Sequence, residues 1–146
     1  TSVASDSSFM RFPSIPIVQG SIINKAKLKV FSATGDTSTP VFATIYGNNA
    51  DNAVVPISSA SANVLSLTAT AINWDEIPAW TMNAGYFTPD ITSIIQEIIN
   101  RAGWAYGNAL MLIVRNNGSA VNCKRIFSSN EFAANGRYEL TIESSK

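Results

Sequence analysis

The stretch TPDITSIIQEIINRAGWAYG, Thr88 to Gly107, decides the fold, because its start, its buried face and its stop are all written in residue types. Thr88 offers a hydroxyl to cap the free amides of a first turn, and Pro89 sits where a missing N–H costs nothing; together they place a helix over about 89–102. Ile91, Ile94, Ile95, Ile98, Ile99 and Ala102 recur at intervals of three and four on one stripe, which leaves Thr92, Gln96, Glu97, Asn100 and Arg101 for water. Gly103 is free to take the left-handed conformation that ends a helix, and Trp104 just beyond it is placed to fold back onto the last turn. A lone helix of about 12 residues is marginal in water, so this one must dock on a sheet.

Outward from the helix the chain reads as strands. SSFMRF, Ser7 to Phe12, alternates and is stopped by Pro13; the following SIPIVQG is a connection that cannot sit in a ladder. KAKLKVFS, Lys25 to Ser32, sends Lys25, Lys27 and Lys29 one way and Ala26, Leu28 and Val30 the other, the mark of a half-buried antiparallel strand. Val41 to Tyr46 and Leu65 to Trp74 are further strands, the second with threonines that suit a pleated surface. ALMLIVR, Ala109 to Arg115, is continuously apolar and predicts a central strand covered on both faces, with the helix on one of them. Cys123 to Ser128 and Arg137 to Glu143 complete seven strands. The expected fold is all-β: an antiparallel two-sheet, jelly-roll-like β-sandwich over residues 1–146, with a single amphipathic helix packed on it.

Composition narrows the function classes. The 146 residues balance 10 basic against 10 acidic side chains with no long run of like charge, which argues against a nucleic-acid partner or an anionic membrane surface. No run of 18 or more apolar residues predicts a membrane span, and no signal-peptide pattern stands at Thr1. Histidine is absent, so neither a Ser-His-Asp or Cys-His relay nor a His/Cys zinc site can be built. Cys123 has no partner within the chain and reads as a small buried hydrophobe. Carboxylates remain in Asp36, Asp51, Asp75, Glu76, Asp90 and Glu97, and pairs about 5 to 9 Å apart serve glycoside cleavage. Asp90, however, has a structural use at the positive end of the helix. No enzyme is expected.

Binding has better material. A flat ring matches the apolar face of a sugar while polar neighbours meet its hydroxyls, so Trp80, Tyr86 and Tyr46, with Asp75 beside them, are the candidate carbohydrate-binding residues; Trp80 and Tyr86 fall in the loop before the helix, where a platform would be exposed. Trp74 at a strand end and Trp104 after the helix stop are expected to plug the core, beside Ile91, Ile95 and Ile98. Asp51, Asn48 and Asn49 offer oxygens for calcium, although NNADN lacks the alternating acidic ligands of a dedicated calcium loop and suits a turn as well; no other cofactor is expected.

The order of four blocks resembles the disaggregatase-related module, the DNRLRE domain: FMRFPSIPIVQGSIINKAKLKV from Phe9, then ATIYGNNADNAV, then Thr70 to Trp74, then TPDITSIIQEIINRAGWAYGNALMLIV. The blocks run from Phe9 to about Val114, and RYELTIE matches the family's closing strand loosely. Such modules often carry a further strand before the Phe-Arg-Phe segment, whereas eight residues precede Phe9 here. The resemblance implies a β-sandwich of phage structural proteins or secreted carbohydrate-binding proteins, and so an extracellular or virion setting. The expected function is a non-catalytic structural and attachment module of a virion or surface fibre, its partners being other copies or other virion or surface proteins, with polysaccharide recognition as the alternative. An unpaired edge at the N-terminal strand would accept a strand from a neighbour, unless the three lysines mark an edge built to resist pairing.

Overall fold

The computed structural model of the chain describes residues 7–126 and 138–145. Its elements in chain order are β1 (Ser7–Phe12), β2 (Ile22–Phe31), β3 (Ala43–Asn48), α1 (Ser59–Asn63), β4 (Leu67–Trp74), β5 (Gly85–Phe87), α2 (Thr92–Ile99), β6 (Leu110–Asn116) and β7 (Glu139–Ser145). They form two antiparallel sheets, one ordered β1-β6-β3-β4 and the other β5-β2-β7. The all-β sandwich with a docked helix is therefore the fold.

Alternation along β2 is as the lysines indicate: Ala26, Leu28 and Val30 are buried, and Lys25, Lys27 and Lys29 face outward. This strand is central in its sheet, between β5 and β7, so the lysines do not mark an edge. The continuous apolar run of β6 arises because both of its faces are covered. Leu110 and Leu112 enter the core between the sheets together with the isoleucines of α2. Met111 and Ile113 turn the other way, into a second cluster with Ala53, Phe9, Tyr46, Leu65 and Leu67. Arg11 Nε, donating to the Ala53 carbonyl at 2.7 Å, pins the loop that covers this second face.

Helix α2 takes the place of a fourth strand beside β2. Where β5 ends, Thr88 N–H donates to Leu28 O and Leu28 N–H to Thr88 Oγ1; farther down, Ile91 N–H donates to Ala26 O and Ala26 N–H to Thr92 Oγ1. Ile23 N–H then donates to Gln96 Oε1 at 2.8 Å, Gln96 Nε2 to Ser21 O at 2.9 Å, and Gly20 N–H to Ile99 O. The strand edge is thus satisfied by side chains and loop backbone instead of a ladder, one of the ways a sheet avoids a bare edge. Thr92 and Gln96, expected to face water, are the hooks of this seam. Ile91, Ile94, Ile95, Ile98 and Ile99 are all fully buried, whereas Ala102, expected on the same stripe, is exposed. Burying five isoleucines yields on the order of 10 kcal/mol. That is about the cost of ordering eight backbone residues, so α2 holds only because it is docked. On β3 the helix comes so close that a Cβ at Gly47 would lie 2.7 Å from Ile98 Cδ1 and 2.8 Å from Ile94 Cγ2.

Both ends of α2 differ from expectation. The helix begins at Thr92, not at Pro89, because the Thr88 hydroxyl is engaged with β2 and Pro89 O instead of with a first turn. Asp90 serves the start instead, accepting the N–H and the hydroxyl of Thr92. Among the glycines Gly20, Gly107 and Gly118 have positive φ and Gly103 does not; a Cβ at Gly103 would collide with the Asp51 carboxylate, so a close approach, not a left-handed stop, is what its glycine serves. Trp104 does fold back, 3% exposed, its Nε1 donating to Ile17 O at 2.9 Å.

Two further differences concern element count. Residues 123–126 form no strand: Arg125 lays its guanidinium on the carbonyls of Ile77, Pro78 and Ser38, and Lys124 N–H donates to Ser38 Oγ, so the segment clips two loops together; 127 and 128 lie outside the described residues. The seventh strand is β5, three residues long. A second, five-residue helix, α1, is capped reciprocally by Ser58 and Ser61.

Candidate functional site

The aromatic residues nominated for sugar stacking are brought together in part, but inward. Trp80 stacks on Tyr86 with ring centroids 4.9 Å apart and planes 8° from parallel, and Trp74 leans on Trp80 at 6.1 Å. Trp80 is 3% exposed, so it is no open platform: the Asp36–Trp80 bridge holds its backbone, and Tyr86 covers its ring while the Tyr86 hydroxyl accepts Thr81 N–H. Trp74 and Trp104 are core residues, as expected. Tyr46 lies on β3, in the opposite sheet from Tyr86, half-buried in the outer cluster with the Arg115 guanidinium 5.9 Å from its ring centre. Asp75 is exposed just beyond β4.

In the Asn/Asp loop, the oxygens available for calcium already face a cation of the protein itself. Arg101 Nε donates to Asp51 Oδ1 at 2.7 Å and its Nη1 donates to Asn49 Oδ1. Asn48 is buried and donates to Ser66 O. Asn52 Oδ1 accepts Ala109 N–H, and the Asp51 carbonyl accepts Asn108 Nδ2. This loop is a structural knot tying the end of β3 to the turn after α2. Among the described residues no group of three or more His, Cys, Asp or Glu side chains is placed to hold a metal ion.

Two of the other carboxylates, Asp36 and Asp90, are engaged separately. The Ser38 hydroxyl and N–H hold the Asp36 carboxyl below its ordinary range, with Arg125 at 3.8 Å adding its charge. The Thr92 hydroxyl and N–H do the same for Asp90, helped by Lys27 and Lys25. A proton donor for glycoside cleavage needs the opposite shift, so neither group suits that role.

Three surface features were not legible as sites in the sequence. An open cleft of about 410 Å³ lies where the β1 end of one sheet meets β7 of the other, between Phe12, Ile15, Ile17, Leu140 and Ile142; no charged side chain lines it. On the outer face of the β5-β2-β7 sheet, Lys29 sits over Phe87 and Phe31, and Lys27 over Phe87. The loop carrying α1 projects Val54, Val55, Ile57 and Val64, with Ile57 95% exposed. Four aliphatic residues without periodicity in VVPISSASANV were the available signal for this patch.

Among the described residues no helix is long and apolar enough to cross a membrane. Comparison of the chain with family models, with curated proteins and with solved structures returned no match.

Proposed function

We propose that the chain is a non-catalytic structural and attachment module of a larger extracellular assembly, such as a phage tail, fibre or capsid decoration or a surface fibre, whose partners are proteins. The observation that carries this reading is the direction in which the molecule turns its apolar groups. Trp74, Trp80 and Trp104 point inward, while Val54, Val55, Ile57 and Val64 project from one loop. Exposed aliphatic patches of this kind suit contact with another protein surface, whereas sugar recognition needs open flat rings. The four sequence blocks that resemble the disaggregatase-related module support the same setting. Polysaccharide recognition is the alternative, and it rests on the half-buried Tyr46 and the exposed Phe87 and Tyr106 now that Trp80 is enclosed.

The test is a panel of polysaccharides titrated against the intact chain, with reducing-end release measured in parallel. No saturable binding and no cleavage are expected. Saturable binding of one glycan class, abolished by Tyr46→Ala or Phe87→Ala with folding intact, would replace this reading with the carbohydrate-binding one.

A further inference from the structure

The open edges of the two sheets differ in a way that points to one partner. Strand β1 is six residues long, carries Arg11 and runs into Pro13. Strand β7 carries Glu139 and Glu143, and β5 is only three residues long. These are the usual devices against edge-to-edge pairing: charge, proline and shortness. Strand β4 has none of them. Its eight residues, LTATAINW, include no charge and no proline, and it pairs with β3 on one side and with no strand on the other among the described residues.

We propose that β4 is a self-association edge: a second copy of this chain lays its own β4 antiparallel against it across a two-fold axis, joining two four-stranded sheets into one of eight. This deepens the assembly reading, on which it rests, by naming the partner and the surface. A two-fold pairing brings residues next to its axis within diagonal reach of their own copies, so a charge near the middle of the strand would meet its like. An uncharged strand is suited to its own copy, and a chain with 10 basic and 10 acidic residues adds no net repulsion between molecules. Register agrees as well. Thr68, Thr70, Ile72 and Trp74 alternate inward while Ala69, Ala71 and Asn73 are exposed. Centring the axis on Thr70 sets Thr68 opposite Ile72 and Ala69 opposite Ala71, so inward residues meet inward ones and only methyl groups meet at the centre of the outer face. Asp75 of the two copies would then stand at opposite ends of the paired strands, about 33 Å apart at the rise of an extended chain.

The experiment is sedimentation velocity across concentration for the wild type, Ala71→Lys, Ala71→Glu and an equimolar mixture of the two variants, each checked for folding by circular dichroism. A concentration-dependent dimer is expected for the wild type, weakened at least tenfold in each variant and restored in the mixture, where Lys and Glu stand diagonally across the axis within reach of each other. Amide exchange of the wild type supplies a readout independent of substitution: protection at 69–73 should rise with concentration while β1 and β7 stay unchanged. A wild type that stays monomeric up to about millimolar, a dimer indifferent to both variants, or exchange at 69–73 that ignores concentration would overturn the pairing. Those outcomes are separable from failure of the attachment reading, which falls only if the polysaccharide panel binds.

Discussion

Replacing Gln96 by Ala tests whether α2 truly substitutes for a strand. The Gln96 amide accepts Ile23 N–H at 2.8 Å and donates to Ser21 O at 2.9 Å, and both residues are buried, 5% and 7% exposed. Truncation to Ala removes both partners at once and gives the two backbone groups no protein replacement. An unsatisfied buried group costs about 1 to 3 kcal/mol. Partial entry of water into the space left by the amide places this pair near the low end, so the loss should be about 2 to 3 kcal/mol. In a domain of this size that corresponds to a fall in Tm of about 6 to 9 °C. Urea unfolding at neutral pH, compared with Ser93→Ala on the exposed side of the same helix, isolates the effect from helix propensity. A loss below about 0.5 kcal/mol, the range of ordinary surface substitutions, would refute the seam and return Gln96 to solvent.

Further expectations follow from packing and charge. Ile95→Ala, at a fully buried position on α2, should cost about 2 to 5 kcal/mol in the same unfolding assay, and a near-neutral result would mean that the helix is an appendage. Gly47→Ala forces a methyl group against Ile94 and Ile98 and should cost about 1 to 3 kcal/mol despite the usual gain from removing a glycine in a strand; a stabilised variant would show that the helix can move away. Because Asp36 and Asp90 are held below the ordinary carboxylate pKa, their contribution is complete above about pH 4 and disappears as the pH falls through their folded values. Asp90→Asn should therefore make the acid limb of the stability profile shallower and leave the limb above pH 5 unchanged in shape; an unchanged acid limb would contradict the Thr92 contact as the cause.

What could be read from the chain was whatever is periodic and local. The lysine alternation fixed the faces of β2, and the three-and-four spacing of isoleucines fixed the buried stripe of α2. Polar residues beside that stripe were misread, because periodicity marks where apolar groups point and is silent on hydrogen bonds. Thr92 and Gln96 sit four residues apart on one flank of the helix, Thr88 stands four residues ahead of them in the segment leading into it, and none is charged, which is the pattern by which such a seam is to be sought in other chains. Trp80 gave no such cue. Its burial depends on Tyr86 folding over it and on the bridge to Asp36, contacts between loops that no spacing rule connects. Arg101 likewise finds Asn49 and Asp51 across about half a hundred residues of chain, so the loop looked open to a metal ion when its own arginine was already there. The strand expected at Cys123 to Ser128 failed for a related reason: Arg125 has three carbonyls to serve in the loops beside it, and that demand sets the path of residues 123–126.

The most direct measurement is light scattering of the intact chain over a wide concentration range, with and without a polysaccharide panel in the same buffer. Association that depends on protein concentration and ignores every glycan is the expected result. A monodisperse monomer that takes up one glycan class, and loses it in Phe87→Ala or Tyr46→Ala, would contradict attachment through protein surfaces.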